Sequence, residues 1–307
     1  MAILAFDFGG TRTRAGWFDD QLRLLRRAEM ASDVERGPED TLARMVELGR
    51  SVQDGAPRAI GVAGPGPLDP ISGVIHHAWT LTGWREVAIG PHLAQAFSAP
   101  AHLQNDGNCG ALAEYRVGAG RGCDPLIYLT LSTGIGGGVI LGGELFSGWR
   151  GLAAEPGHQV FRLADGQVRK LEELASGTAL GLRAAQRLGH WPDDTALRQA
   201  QPLSGQAVGE AALRGDPLAL EIVREAATWL GLGLVNLLHL FNPRAVVLGG
   251  SVSRLGDLLL EPVRHVISEH IMTPGFFAPD LLRPAALGDD VCLIGAAWHA
   301  FSTLSRD

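Results

Sequence analysis

Ile3-Leu-Ala-Phe-Asp-Phe-Gly-Gly-Thr-Arg-Thr-Arg-Ala-Gly-Trp-Phe18 and Leu126-Ile-Tyr-Leu-Thr-Leu-Ser-Thr-Gly-Ile-Gly-Gly-Gly-Val-Ile-Leu141 follow one plan. Each opens with an apolar run of strand length, breaks at glycines and resumes as a second short strand. Runs that are apolar on both faces mark strands covered on both sides of their sheet. Two further runs, Ala59-Ile-Gly-Val-Ala63 and Ala245-Val-Val-Leu248, also lead into glycines, ending at Gly66 and at Gly249-Gly250. Helical patterns fall between the strands, over Pro38 to Val52, Glu86 to Phe97, Asp106 to Arg116, Thr178 to Leu188, Pro217 to Phe241, Ser253 to His270 and Val291 to Leu304. Alternation of this kind predicts an α/β protein. The repeat predicts two like halves with a cleft between them. We place the border near Asp106 and expect the last helix, from about Val291, to cross back. The lobes are then 1–106 plus 291–307 and 107–290.

Composition narrows the function classes. Of the 307 residues 46% are hydrophobic and 19% charged, enough to bury a full core and unlike a disordered chain. Lys plus Arg number 26 against 33 for Asp plus Glu, a net charge of −7 that argues against nucleic acid as a partner. The three cysteines, Cys109, Cys123 and Cys292, form no C-x-x-C pair and fit a reducing cytoplasm. The start, Met1-Ala-Ile-Leu-Ala-Phe-Asp7, has no basic region and meets an acid at once, so no signal peptide is expected. A long uncharged run, Ala226 to Pro243, is broken by Asn236 and His239 and stopped by Asn242-Pro243. It reads as a buried helix and not a membrane span, so a soluble, cytoplasmic protein is expected.

Four stretches carry candidate chemistry. In Asp7-Phe-Gly-Gly-Thr-Arg-Thr13 a glycine turn frees backbone N–H groups to face an anion, and Thr11 and Thr13 add hydroxyls. Asp7, ending a buried strand, suits a hydrated Mg²⁺, which takes one or two carboxylates plus phosphate oxygens. The plainer reading is an ordinary hairpin. Ser132-Thr-Gly-Ile-Gly-Gly-Gly138 matches neither a dinucleotide fingerprint, because no helix follows, nor a P-loop, because no Gly-Lys-Ser/Thr follows. A second phosphate-facing hairpin is the functional reading there, and a tight structural turn the plain one.

In Leu103-Gln-Asn-Asp-Gly-Asn108, Asp106 or Asn108 can cap the next helix, or Asp106 can accept a proton from a substrate hydroxyl at the cleft. Glu155-Pro-Gly-His158 and Leu171-Glu-Glu-Leu-Ala-Ser-Gly177 offer carboxylates and an imidazole suited to sugar hydroxyls. A solvated loop and favourable acids in a helix first turn are the plain alternatives.

Read in order, Asp7-Phe-Gly-Gly-Thr11, Gly64-Pro-Gly-Pro-Leu-Asp69, Asn105-Asp-Gly-Asn108, Ala113-Glu-Tyr115, Leu131-Ser-Thr-Gly-Ile-Gly-Gly-Gly138, Glu155-Pro-Gly-His158, Leu171-Glu172 with Ala175-Ser-Gly-Thr178, and Leu248-Gly-Gly-Ser251 resemble the ROK (repressor, open reading frame, kinase) family of sugar kinases. The likeness covers almost the whole chain. It implies a duplicated ribonuclease-H-like fold of the actin/hexokinase type, with two lobes around a central cleft. It also implies ATP-dependent transfer of the γ-phosphoryl group to a hexose, glucose, fructose or an N-acylhexosamine. By this resemblance Gly9, Gly10 and Thr11 hold the ATP phosphates with Asp7 near Mg²⁺, and Thr133, Gly134 and Gly136 do the same from the second hairpin. Gly249 and Gly250 lie by the adenosine, Asp106 is the catalytic base, and Gly66, Asn105, Glu155, His158 and Glu172 contact the hexose. A homodimer or homotetramer is implied as well.

Three departures stand out. The family's zinc motif, C-x-C-G-x-x-G-C, falls where this chain has Val160 to Lys170 without cysteine, so no zinc site is expected, and Asp165-Gly166 is expected to turn a hairpin instead. The family's Asn-Leu-Pro-Gly-Trp is here Thr80-Leu-Thr-Gly-Trp84, which exchanges an amide for one hydroxyl at a sugar contact. Pro156 replaces the usual apolar residue before Gly-His. The family also contains transcriptional regulators, so a non-catalytic sugar sensor, or a regulator lacking its DNA-binding domain, is the alternative. The strand beginning at Ile3 and the negative charge weigh against it.

Overall fold

The two quoted repeats become the centres of two sheets. The computed structural model describes residues 2–77, 81 and 83–304. In the first half β1 (Ile3–Phe8), β2 (Arg12–Phe18), β3 (Leu24–Ala31), α1 (Pro38–Val52), β4 (Ala59–Gly64), β5 (Leu68–Asp69), β6 (Val74–His77), β7 (Arg85–Val87), α2 (Ile89–Phe97) and β8 (Ala101–Asn105) follow one another. Then come α3 (Asp106–Val117), β9 (Leu126–Leu131), β10 (Ile135–Leu141), β11 (Glu144–Leu145), β12 (Val160–Arg162) and β13 (Val168–Lys170). The chain continues through α4 (Leu171–Ala175), α5 (Gly177–Leu188), α6 (Gly205–Leu213), α7 (Pro217–Phe241), β14 (Ala245–Gly249), α8 (Asp257–His270), β15 (Leu282–Pro284) and α9 (Val291–Leu304).

The large sheets have one design. The first runs β3-β2-β1-β4-β8 and the second β11-β10-β9-β14-β15. In each, the first strand pairs antiparallel with its hairpin partner and parallel with the strand after the first crossover. This is the duplicated ribonuclease-H-like arrangement.

The helix that follows each sheet's last strand crosses to the opposite sheet. Small residues allow it: Ala111 and Ala113 of α3 pack with Leu126, Tyr128, Ile140 and Val247 of the second sheet. Ala296, Ala297 and Ala300 of α9 pack with Ile3, Ala5, Ala59 and Ala63 of the first. The two helices also pack on each other, and Gly295 lies so close to the Cys109 carbonyl that no side chain fits between. Interiors packed this tightly do not yield to an added methyl without backbone movement.

Some expectations need correcting. The helix expected from Glu86 begins at Ile89, because Arg85–Val87 adds a strand to β6 and Glu86 takes a left-handed φ of 50°. The helix expected from Ser253 is interrupted by Gly256 at φ 58°, and α8 starts beyond it. The uncharged run lies mainly in α7, with Ala226, Leu230, Leu234 and Leu238 buried in the core of the second half. No helix among the described residues is long and apolar enough to cross a membrane.

Candidate active site

Asp106 stands where the sheets meet. Strand β8 ends at Asn105, whose Oδ1 accepts from the backbone N–H of Gly107 at 2.9 Å and of Asn108 at 3.3 Å. The cap of α3 is therefore Asn105, and not Asp106 or Asn108; its extended backbone and short amide meet the requirement one position earlier. Asp106 occupies the first helical position and takes a 2.7 Å bond from Gly107 N–H to its Oδ1. A side chain at Gly107 would strike Gly137 N at 2.5 Å, so the first turn of α3 rests on the bare backbone of β10. Burial pushes the Asp106 carboxyl up to about 6, and the charges of Asp7 and Glu155 push the same way against the Gly107 bond. A carboxylate held near neutrality suits a general base.

The first hairpin is braced from behind. The β1–β2 register sets Asp7 opposite Arg14, and Arg14 Nη1 donates to Asp7 Oδ2 at 2.7 Å. Burial still holds Asp7 above the usual carboxylate range, with Arg14 opposing. Gly9 N–H bonds Arg12 O at 3.1 Å, leaving Gly10 and Thr11 exposed at the tip. Thr13 corrects the sequence reading: it is fully buried and shares a 2.9 Å bond with Ser32, so its hydroxyl faces the protein and not an anion. Ser32 Oγ also donates to Gly9 O at 2.6 Å, a brace that nothing in its sequence context announces. Among the described residues no group of three or more His, Cys, Asp and Glu side chains is placed to hold a metal ion.

The second hairpin opens onto a cavity of about 730 Å³. Ser132 N–H bonds Gly134 O at 2.9 Å, and Gly177 N–H bonds Ser132 O at 2.7 Å, which docks the start of α5 on the turn. Thr133 lines the cavity together with Thr178, Ser251 and the facing sides of α5 and α6. Gly136 is partly buried beside Thr130. Gly249 lies beneath Tyr128, and Gly250, at φ 84°, brings the chain over the Leu131 carbonyl just before Ser251. Sequence reading missed α6 and with it one wall of this cavity; Ser204-Gly205 before Gln206-Ala-Val-Gly-Glu210 was the available signal, a serine cap whose Oγ accepts from Ala207 N–H at 3.3 Å.

The remaining candidates converge beside Asp106. A Cβ on Gly66 would lie 3.3 Å from Asn105 Nδ2 and 4.0 Å from Glu155 Oε1, and one on Gly134 would lie 3.1 Å from Glu172 Oε2. Burial pushes the Glu155 carboxyl up; His158 opposes that and Glu172 reinforces it. The hairpin expected at Asp165-Gly166 is present: β12 and β13 pair antiparallel, Leu163 N–H bonds Gln167 O at 2.8 Å, and Gln167 N–H bonds Asp165 Oδ1 at 2.9 Å. At its open end Leu171 N–H bonds Gln159 O at 2.8 Å, so the residue after His158 is tied to the residue before Glu172. Thr80 lies outside the described residues.

Comparison with known proteins places the chain. The sequence pattern of the ROK family matches residues 3–302. A glucokinase of Thermotoga maritima is 32% identical over 97% of this chain and 96% of its own length. The crystal structure of a ROK family glucokinase from Streptomyces griseus, in complex with glucose and AMPPNP, is 32% identical with a TM-score of 0.83 and covers 98% of this chain and 100% of that one. A ROK hexokinase from Thermus thermophilus is 34% identical with a TM-score of 0.79, over 100% of both chains. Two sheets of one strand order, the motifs that turn them, and this likeness over nearly its whole length agree, and the chain belongs to the ROK family.

Proposed function

We propose that this chain is an ATP-dependent hexose kinase that transfers the γ-phosphoryl group to a sugar hydroxyl, with glucose the first acceptor to test. The observation that carries this reading is the position of Asp106, a carboxylate raised to about 6 and coupled to Asp7 on one side and Glu155 on the other. The first faces the phosphate hairpin and the second the cluster of Gly66, Asn105, His158 and Glu172. Asp106 takes the proton of the attacking hydroxyl as its oxygen bonds phosphorus, and ADP leaves with the electrons of the broken bond. Gly9, Gly10, Thr11, Thr133, Gly134 and Gly136 present donors to the triphosphate, while Gly249 and Gly250 border the adenosine. Such transfer rests on positioning and charge stabilisation.

The donor set fits Mg²⁺. Asp7 has one oxygen taken by Arg14 and one free, its charge acts on the neighbouring Asp106, and hard oxygen ligands completed by phosphate and water suit this ion. Bound there, it would neutralise phosphate charge. Zinc has no place in this reading, and the β12–β13 hairpin aligns His158 and Glu172 in its stead. The lobes are 1–106 plus 291–307 and 107–290, in a cytoplasmic homodimer or homotetramer that light scattering would size.

A coupled assay of ADP release over glucose, fructose, mannose, N-acetylglucosamine and N-acetylmannosamine tests the reading. Turnover on at least one, lost by about two to four powers of ten in Asp106→Ala with sugar binding intact, is expected. Tight sugar binding without turnover would make the chain a sensor instead.

A further inference from the structure

The cavity beside the second hairpin has an asymmetric lining. Its lining offers the hydroxyls of Ser132, Thr133 and Ser251 together with two uncovered apolar side chains, Leu182 of α5 at 60% exposure and Leu213 of α6 at 62%. Gly209 of α6 also lines the space, and an added Cβ there would meet only Leu255 Cδ2 at 3.4 Å. A flat ring can thus approach the bare helix backbone at Gly209 in a cavity that Leu182 and Leu213 also line. The polar residues of this wall are Gln206, one turn before Gly209, and Glu210, next to it: Gln206 donates from Nε2 to Glu210 Oε1 at 2.9 Å, and both line the cavity. That bond fixes the carboxylate and leaves Glu210 Oε2 free to accept.

We propose that Glu210, held by Gln206, reads the 6-amino group of the adenine ring and makes this kinase selective for adenine nucleotides. The inference rests on the kinase reading above and deepens it. A carboxylate accepts from an amine and repels a carbonyl oxygen at the same place, so the 6-oxo group of hypoxanthine would be disfavoured where the 6-amino group is bound. Gln206 has a second N–H and a carbonyl left for the ring nitrogen beside that amine.

The test is calorimetric binding of ADP, of inosine 5′-diphosphate and of purine riboside 5′-diphosphate, which lacks only the amine, to wild type and to Glu210→Ala. Wild type should bind ADP about tenfold more tightly than the deaminated analogue. Glu210→Ala should weaken ADP alone and bring the two dissociation constants together. Equal weakening of both, no weakening of either, or no discrimination by the wild-type protein overturns the assignment. Because binding is read without turnover, an intact preference for ADP in a protein that phosphorylates no sugar would count against the kinase reading and not against this one.

Discussion

Arg14 donates from Nη1 to Asp7 Oδ2 at 2.7 Å, and neither side chain is more than 13% exposed. The pair exists because the hairpin register sets the two residues face to face, so the same turn that presents Gly10 and Thr11 also holds the carboxylate at its root. Arg14→Met should leave that carboxylate buried without its partner and cost about 3 kcal/mol in urea unfolding. Adding Asp7→Asn should restore most of the loss, since the uncompensated charge is then gone. Additive losses in the double variant would mean the two side chains act separately.

Asp106 yields two linked pH predictions. In the proposed role of proton acceptor it must be ionised, so kcat/KM should fall about tenfold per pH unit below pH about 6. Stability runs the other way. The folded state holds the proton more firmly than the unfolded chain, whose value is 3.8, so the contribution of this group is full below that value and is lost as pH rises through about 6. Asp106→Asn should therefore unfold at a higher temperature than wild type at pH 8, by about 1 to 3 kcal/mol of stability, with the gain vanishing near pH 4. A variant less stable than wild type at pH 8 would show that the carboxylate is favourably housed.

The β12–β13 hairpin predicts a split between substrates. Gly166 turns it at φ 82°, and Gly166→Val forces a branched residue into left-handed backbone at a cost of about 1 to 2 kcal/mol. With His158 and Glu172 less firmly tied, the KM for sugar should rise severalfold while the KM for ATP stays put. Steady-state kinetics with each substrate varied checks this; equal changes in both constants would assign the hairpin to general stability.

Metal removal separates two ions. EDTA should abolish ADP release and added Mg²⁺ restore it, since Asp7 and Asp106 supply few ligands beyond those of the nucleotide itself. A zinc-selective chelator should leave the rate and the melting temperature unchanged, and elemental analysis of the purified protein should find zinc well below one equivalent. Stoichiometric zinc would place a site that the sequence between Val160 and Lys170 does not suggest.

The residues of the site were legible where glycine or acid had to fall at a fixed place. Asp7-Phe-Gly-Gly-Thr11 and Ser132 to Gly138 announced both hairpins, and Asp165-Gly166 announced the third. Strand β3 was not legible, because Leu24–Ala31 is an edge strand with five of its eight residues exposed and carries Arg26, Arg27 and Glu29. Helix α6 was hidden by Gly205 and Gly209, which look like loop punctuation. The first sits against the Gly177 carbonyl, where no side chain fits, and the second leaves the cavity open. Ser32 and Arg14 brace the first hairpin through contacts 23 and 7 residues distant, a relation set by strand register and invisible to local pattern.

The exchange of α3 and α9 between the sheets has a consequence for the ancestry of the molecule. A chain cut near residue 106 strips the first sheet of α9, which stays with the second piece, so the first piece is not a self-sufficient protein. A half-length forebear with this strand order would have solved the same problem as a twin, two identical copies swapping their terminal helices about a dyad. Joining the copies end to end would have freed the twin turns, equivalent at the outset, to diverge.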